Sequence, residues 1–176
     1  ENPFDQPITA DEDSWIGSLI NIGAMIGPLP YGFISEKFGR KIGLLCIAIP
    51  HIISYLTLAF SRTVGLYYFA RLLGGLAVGG GYTLLPTYVA EVSEDKHRGM
   101  MSATLNCFWT FGTLLPYVIG PYTSALWLNV ILACVPTSFF ILFFFIGPES
   151  PYYLIAKNKM DLAEQSLMKL RSQDKK

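Results

Sequence analysis

Acidic and basic residues are absent from long stretches of this chain. The longest uncharged stretch covers residues 99–148, and another stretch is interrupted only by Arg71. An α-helix rises about 1.5 Å per residue, so about 20 apolar residues cross the hydrocarbon core of a membrane. The longest stretch has room for two such helices, because Gly and Pro at 120–121 disfavour one continuous helix. The pattern therefore predicts five membrane-spanning helices, approximately at residues 14–35, 42–61, 64–90, 99–121 and 125–147.

A short charged segment separates the first two predicted spans. Residues 32–41 read Gly-Phe-Ile-Ser-Glu-Lys-Phe-Gly-Arg-Lys, and Gly39 suits a tight backbone turn. A connection this short makes the two spans antiparallel neighbours. Eleven of the thirteen Lys and Arg residues fall on the membrane side that holds this segment. The positive-inside rule places that side in the cytoplasm, so we predict a multi-pass protein of the cell membrane with an extracellular lead-in at 1–13 and a cytoplasmic segment at 149–176.

The cytoplasmic segment is predicted to contain a short amphipathic helix at about 159–171. Its acidic residues precede its basic residues, which is the order that the helix dipole favours. Such a helix can rest on lipid headgroups. Its apolar residues recur at spacings of three and four and form a narrow stripe: Met160, Ala163, Leu167 and Leu170.

Two pairs of glycines lie within the predicted spans at a spacing of four residues. They are Gly23 with Gly27 in the first span and Gly75 with Gly79 in the third. Small residues at this spacing let two helix backbones approach closely in lipid. We therefore predict that helix packing is the role of these glycines.

Composition agrees with a membrane protein and excludes several other classes. Of the 176 residues, 52% are hydrophobic and 15% are charged, and the formal net charge is zero, so no basic surface for nucleic acid is expected. The three cysteines lie apart in apolar stretches, which disfavours a disulfide framework or a metal cluster. We expect no metal site and no cofactor. The chain begins with neither Met nor a signal peptide, so we expect a fragment of a longer protein.

Four short motifs occur in an order that is typical of one transporter family. The first is the charged segment 32–41, and the second is Arg71 with the glycines that follow it. Glu91 then stands seven residues before Arg98, and the last motif is Pro-Glu-Ser-Pro at 148–151. Together they resemble the sugar porter family of the major facilitator superfamily. The resemblance covers most of the chain.

The chain departs from the usual motifs of that family at two places. Glu36-Lys37 stands where the family usually has Asp-Arg, which keeps both charge signs. Tyr152 stands where Pro-Glu-Ser-Pro is usually followed by Arg, which removes one cation. Within the family, the run Pro-Glu-Ser-Pro-Tyr-Tyr-Leu resembles insect-type facilitated trehalose or glucose transporters.

The resemblance implies an all-α bundle, with residues 14–148 as the second to sixth helices of a six-helix N-terminal half. It implies alternating access for a neutral sugar, trehalose or a hexose, in the facilitative form that is not coupled to protons, and no enzymatic activity. The partners would be the sugar, the lipid bilayer, a first helix and a C-terminal half absent from this chain. The amphipathic helix would be the first of those that brace the inner end. The alternatives are a proton-coupled sugar symporter and a sugar-binding membrane receptor without transport.

Polar residues within the spans are candidate sugar contacts. Hydroxyl and carboxamide groups suit a sugar, whose hydroxyls both donate and accept hydrogen bonds. In the alternative interpretation, Ser and Thr bond back to their own helix. The resemblance places Asn106 where many sugar porters have a substrate-binding Gln. One face of the fourth span carries residues spaced by three or four: Ser102, Asn106, Thr110, Thr113 and Tyr117.

Arg71 is also a candidate contact, because an Arg within a span costs roughly 2.5 to 3.5 kcal/mol and should face protein or water. Snorkelling to the outer headgroups is the alternative. The resemblance favours a polar partner on the absent first helix. For the cytoplasmic side, we predict a network of charges that favours one conformation over another. Its members stand at the cytoplasmic ends of the spans: Glu36, Arg40, Glu91, Arg98 and Glu149.

Overall fold

The computed structural model describes residues 8–171, and the regular secondary structure in this part of the chain is entirely helical, without a strand. This confirms the predicted all-α class. A 3-10 turn, Gly120–Tyr122, follows the fifth helix. The α-helices are α1 (Ala10–Ile26), α2 (Pro28–Phe38), α3 (Arg40–Phe60), α4 (Val64–Val92), α5 (Arg98–Ile119), α6 (Ala125–Ile146), α7 (Pro151–Ala156) and α8 (Met160–Arg171).

The first predicted span is longer than expected and is divided into two helices. Helix α1 begins at Ala10 because Thr9 and Glu12 form a capping box, in which Thr9 N donates to Glu12 Oε2 over 2.8 Å. The predicted lead-in 1–13 therefore ends inside a helix, and residues 1–7 lie outside the described part of the chain. Helix α2 starts at Pro28, which has no N–H to continue the hydrogen-bond ladder of α1.

Within residues 8–171, four segments are long and apolar enough to cross a membrane: Ala10–Phe38, α3, α4 and α6. Helix α5 has 22 residues but is not among these four, and its polar residues explain its lower hydropathy. The predicted crossing at 99–121 therefore stays a prediction. Helix α6 combines high hydropathy with a single buried residue, Ala133, as a lipid-facing helix does.

Helix α4 lies at the centre of the bundle. It packs against α1, α2 and α3, whereas α6 packs mainly on α3 and reaches α4 through Phe143, whose ring centroid is 5.5 Å from that of Tyr88. One buried cluster joins α3 to α4 through Leu44, Ile47, Ala77, Leu84 and Tyr88. A second cluster, which includes Ile16 and Tyr67, joins α1, α3 and α4. Helix α5 contacts α4 at its edge, where the rings of Tyr82 and Trp109 are 4.0 Å apart.

The two glycine pairs lie against each other where α1 crosses α4. A Cβ atom on Gly23 would lie 2.9 Å from the Cα of Gly75 and would meet the carbonyl oxygen of Leu72. A Cβ on Gly79 would meet the carbonyl oxygen of Ala24. The glycines therefore allow backbone-to-backbone contact, which confirms the packing role predicted for them.

The C-terminal segment forms two short helices instead of the single predicted one. Ser150 is fully buried and caps α7, because its Oγ accepts a hydrogen bond from Tyr153 N. Asn158 has a φ of 56° in the turn between α7 and α8, a conformation that Asn tolerates better than most residues. Helix α8 matches the predicted amphipathic helix, and it packs on α7 with Ala163 and Ser166 buried.

Candidate functional site

A charge pair joins the N-terminus of α3 to the C-terminal end of α4. Arg40 Nε lies 3.1 Å from both carboxylate oxygens of Glu91, and Arg40 Nη2 lies 3.0 Å from Oε1. The two side chains are only 20% and 17% exposed. Arg40 Nη1 also donates to the carbonyl oxygen of Ser35 at the end of α2, over 3.2 Å. The guanidinium group of Arg40 therefore connects three helices.

Glu149 stabilises the start of α3 from a distant part of the chain. Helix α3 begins after Gly39, which has no side chain to cap the free N–H groups of the first turn. Glu149 Oε1 accepts from Arg40 N over 2.8 Å and from Lys41 N over 3.0 Å. The negative carboxylate also suits the positive end of the helix dipole. Arg40 is thus held by Glu91 through its side chain and by Glu149 through its backbone.

Gly39 is required by this arrangement for two reasons. Its φ is 113°, a value that side-chain-bearing residues rarely adopt. A Cβ atom would also meet the Glu149 carboxylate and would lie 3.2 Å from Cε1 of Tyr153. The turn between α2 and α3 therefore packs directly on the segment that follows α6.

Further hydrogen bonds attach the segment after α6 to its neighbours. Tyr88 Oη on α4 donates to the carbonyl oxygen of Pro148 over 2.9 Å. Ser166 Oγ on α8 donates to the carbonyl oxygen of Glu149 over 2.6 Å. Lys41 Nζ donates to the carbonyl oxygen of Phe144, near the C-terminus of α6, over 2.8 Å. Each bond satisfies a carbonyl group outside a regular helical ladder or at a helix end.

The structure brings together three of the five charges predicted for the cytoplasmic network: Arg40, Glu91 and Glu149. Glu36 is exposed and lines a cavity of about 400 Å³ with Arg40 and Glu91. Arg98 does not join the network in this conformation. It pairs over 2.8 Å with Asp95, which lies three residues earlier in the turn that precedes α5.

Arg71 is partly buried on α4. Its Nε atom is buried and has no hydrogen-bond partner among the described residues. Neighbouring α4 residues include Gly74 and Gly75, which are buried against α3 and α1. The Nε–H group of Arg71 is therefore able to donate to a polar group outside residues 8–171.

The polar face of α5 is open. No residue of this helix is buried, and Asn106, Thr110 and Thr113 are all exposed. Thr110 Oγ1 donates to the carbonyl oxygen of Asn106 over 3.0 Å, and Thr113 Oγ1 donates to that of Thr110 over 2.8 Å. Both hydroxyls bond back to their own helix, yet their oxygen lone pairs can still accept hydrogen bonds. The two cavities described for residues 8–171 are lined neither by Arg71 nor by these α5 residues. The structure therefore does not place Arg71 and the polar face of α5 in one cavity.

Sequence reasoning missed two contacts in the charged cluster. One contact is the cap that Glu149 provides for α3. Its only sequence signal was Gly39 at the start of α3, because glycine has no side chain to cap the helix and a distant residue must do so. The bond from Lys41 to Phe144 had no sequence signal, because it depends on α3 and α6 lying side by side.

Comparison with known proteins identifies this arrangement of helices and charges. A profile of the family described as "Sugar (and other) transporter" matches residues 2–176. The chain belongs to the sugar transporter family. Its helices correspond to the N-terminal half of a sugar porter of the major facilitator superfamily, and the chain is part of a multi-pass membrane protein and not an enzyme.

Relatives in this sugar transporter family include plant and insect proteins. The chain is 36% identical over 168 residues to "Sugar transporter ERD6-like 6" of Arabidopsis thaliana, covering 95% of the chain and 34% of that protein. It is 34% identical over 166 residues to "Facilitated trehalose transporter Tret1" of Apis mellifera ligustica, covering 93% and 32%. The chain therefore spans about a third of the length of these relatives.

A solved bacterial transporter shares the fold. The xylose transporter XylE of E. coli, in a partially occluded inward open conformation, superimposes with a TM-score of 0.79 at 26% identity. The alignment covers 98% of this chain and 49% of that chain.

At Tyr152, where the sugar porter motif usually has Arg, the side chain is 58% exposed and lines the cavity beside Arg40 and Glu91.

Proposed function

We propose that the full-length protein moves a neutral sugar, trehalose or a hexose, across the cell membrane by alternating access without proton coupling. The observation that carries this proposal is the cluster of Arg40, Glu91 and Glu149, which joins α3, α4 and the segment after α6 at one end of the bundle. A transporter needs rigid units that move against each other. Half-buried charge pairs at the end of such a unit can be formed in one state and broken in another.

The relatives support the substrate class. The names of the relatives include a facilitated trehalose transporter and a facilitated glucose transporter. A neutral sugar requires hydrogen-bonding groups and no countercharge. The exposed face of α5 offers a carboxamide and two hydroxyl groups, so we assign sugar contact to Asn106, Thr110 and Thr113, with Arg71 as a further candidate on α4.

The proposed orientation follows the positive-inside rule. The end of the bundle that holds Arg40 faces the cytoplasm, together with α7 and α8, and the start of α1 faces outward. In this orientation the charge cluster lies at the inner end of the sugar pathway. The sugar, the lipid bilayer and the remaining helices of the full-length protein are the partners in this mechanism.

The test of the substrate site is a comparison of two asparagines in the full-length protein. Asn106 lies on the open face of α5, whereas Asn129 Nδ2 donates to the carbonyl oxygen of Ala125 in its own helix over 2.8 Å. Loss of one neutral hydrogen bond costs about 0.5 to 1.5 kcal/mol, so Asn106→Ala should weaken apparent sugar affinity by about 2- to 12-fold. Asn129→Ala should leave affinity nearly unchanged.

Sugar uptake kinetics and surface expression are measured for both variants. Weaker affinity at normal expression, for Asn106→Ala alone, supports the proposed site. If Asn106→Ala lowers the amount of folded protein and leaves affinity unaltered, Asn106 packs against another helix and does not contact the sugar.

A further inference from the structure

Tyr153 contacts the turn between α2 and α3 from the start of α7. Its hydroxyl group donates to the carbonyl oxygen of Lys37 over 3.0 Å. Lys37 lies in the last turn of α2, where carbonyl groups have no partner within the helix. The turn therefore receives a donor from Tyr153 for α2 and an acceptor from Glu149 for α3.

Two cations lie within 6 Å of the centroid of the Tyr153 ring. The guanidinium carbon of Arg40 is 5.6 Å from the ring centroid, and Lys157 Nζ is 5.8 Å from it. Both distances are within the range in which a cation is attracted to an aromatic face. Arg40 is the residue that also pairs with Glu91. The ring of Tyr153 thus limits where the guanidinium group of Arg40 can lie.

We propose that Tyr153 is a positioning residue that holds the α2–α3 turn and keeps Arg40 in place for its pair with Glu91. The hydroxyl group fixes the backbone at Lys37, and the ring fixes the side chain at Arg40. Tyr153 is itself held in place, because its N–H donates to Ser150 Oγ in the cap of α7. Tyr152 provides a matched control, since it immediately precedes Tyr153 in the chain but is 58% exposed.

The first test does not depend on sugar transport. Amide hydrogen exchange is measured for the segment 36–42 in the full-length protein reconstituted into lipid nanodiscs, because exchange reports local opening. Tyr153→Phe removes the hydrogen bond and should speed exchange about threefold, and Tyr153→Leu also removes the ring and should speed it about tenfold. Tyr152→Leu should leave exchange in this segment unchanged.

Two results would overturn the proposal at this stage: exchange in both Tyr153 variants at the wild-type rate, or an equal increase for Tyr152→Leu. Thermal unfolding of each variant is recorded in parallel. If Tyr153→Leu does not yield folded protein, Tyr153→Phe still tests the hydrogen bond to Lys37.

The second test rests on the proposed transport function and asks whether Tyr153 acts through Arg40. Tyr153→Leu should lower the maximal rate of sugar uptake about threefold while KM stays within about twofold, and Tyr153→Phe, which keeps the ring, should recover part of the loss. In the Arg40→Ala background, Tyr153→Leu should have a smaller effect than in the wild type, because only the hydrogen bond to Lys37 is left to lose. Additive effects would overturn the proposal, whereas absence of uptake in the wild type would refute the transport function and leave the exchange result standing.

Discussion

Replacement of Arg40 by Ala should slow transport and leave sugar binding from outside largely intact. The variant removes the hydrogen bonds to Glu91 and leaves that carboxylate, 17% exposed, without its cation. Exposed ion pairs are worth about 0 to 1 kcal/mol and breaking a buried pair costs about 3 to 5 kcal/mol. The partial burial of this pair places the loss between the two, at about 2 kcal/mol. That corresponds to a shift of about 30-fold in a conformational equilibrium.

The assay combines uptake kinetics with a conformational probe in the full-length protein. Arg40→Ala should lower the maximal uptake rate by about 3- to 30-fold, with KM changed by less than about twofold. A Tyr152→Cys probe, in a version without the three native cysteines Cys46, Cys107 and Cys134, should change its reactivity toward a membrane-impermeant thiol reagent in inside-out vesicles.

Two controls separate the charge cluster from general effects of lost charge. Arg40→Lys keeps the charge but cannot form the forked contact with Glu91, so its uptake rate should be intermediate. Lys96→Ala removes an exposed cation that lies outside the predicted network, so uptake should stay near the wild-type rate. If Arg40→Ala abolished sugar binding and left the reactivity of the probe unchanged, the assignment of Arg40 to a conformational cluster would be refuted.

Two further predictions concern packing and topology. Gly75→Ala should reduce the yield and the melting temperature of the folded protein, because its Cβ would meet the carbonyl oxygen of Ile20. Gly65→Ala should be tolerated, because nothing lies within 4 Å of a Cβ at that position. Equal melting temperatures for the two variants would contradict the close α1–α4 contact. In intact cells expressing a version without other reactive thiols, an impermeant reagent should label Asp5→Cys and not Gln165→Cys, and the reverse result would invert the proposed orientation.

The sequence was sufficient to predict the helical class. Uncharged stretches of about 20 residues favour lipid over water, and a single segment in lipid satisfies its backbone hydrogen bonds as a helix. It also predicted that the glycine pairs serve packing, since spacing by four puts small residues on one helix face. The division of the first span at Gly27 was not predicted, although Pro28 and Pro30 were visible, because prolines bend some membrane helices without ending them.

The candidate site was predictable only in part, because its contacts join residues that are far apart in the chain. The motifs identified Arg40, Glu91 and Glu149 as members of one cluster, and the structure brings them together. Arg98 pairs with the nearby Asp95 in this conformation, because charge and position at a helix end do not decide between a local partner and a distant one; its place in the network stays a prediction. The role of Tyr153 was not predicted, because it depends on contacts with Arg40 and Lys37. Spacing along the chain does not show which residues surround a side chain in the folded protein.

The most direct test of the central claim is sugar counterflow in proteoliposomes that contain the full-length protein. Vesicles are loaded with unlabelled trehalose or glucose and diluted into labelled sugar, with no proton gradient across the membrane. Alternating access predicts transient accumulation of label inside the vesicles, driven by the outward flow of unlabelled sugar. Saturable binding of sugar without entry of label would contradict transport, and entry that required a proton gradient would contradict the facilitative mechanism.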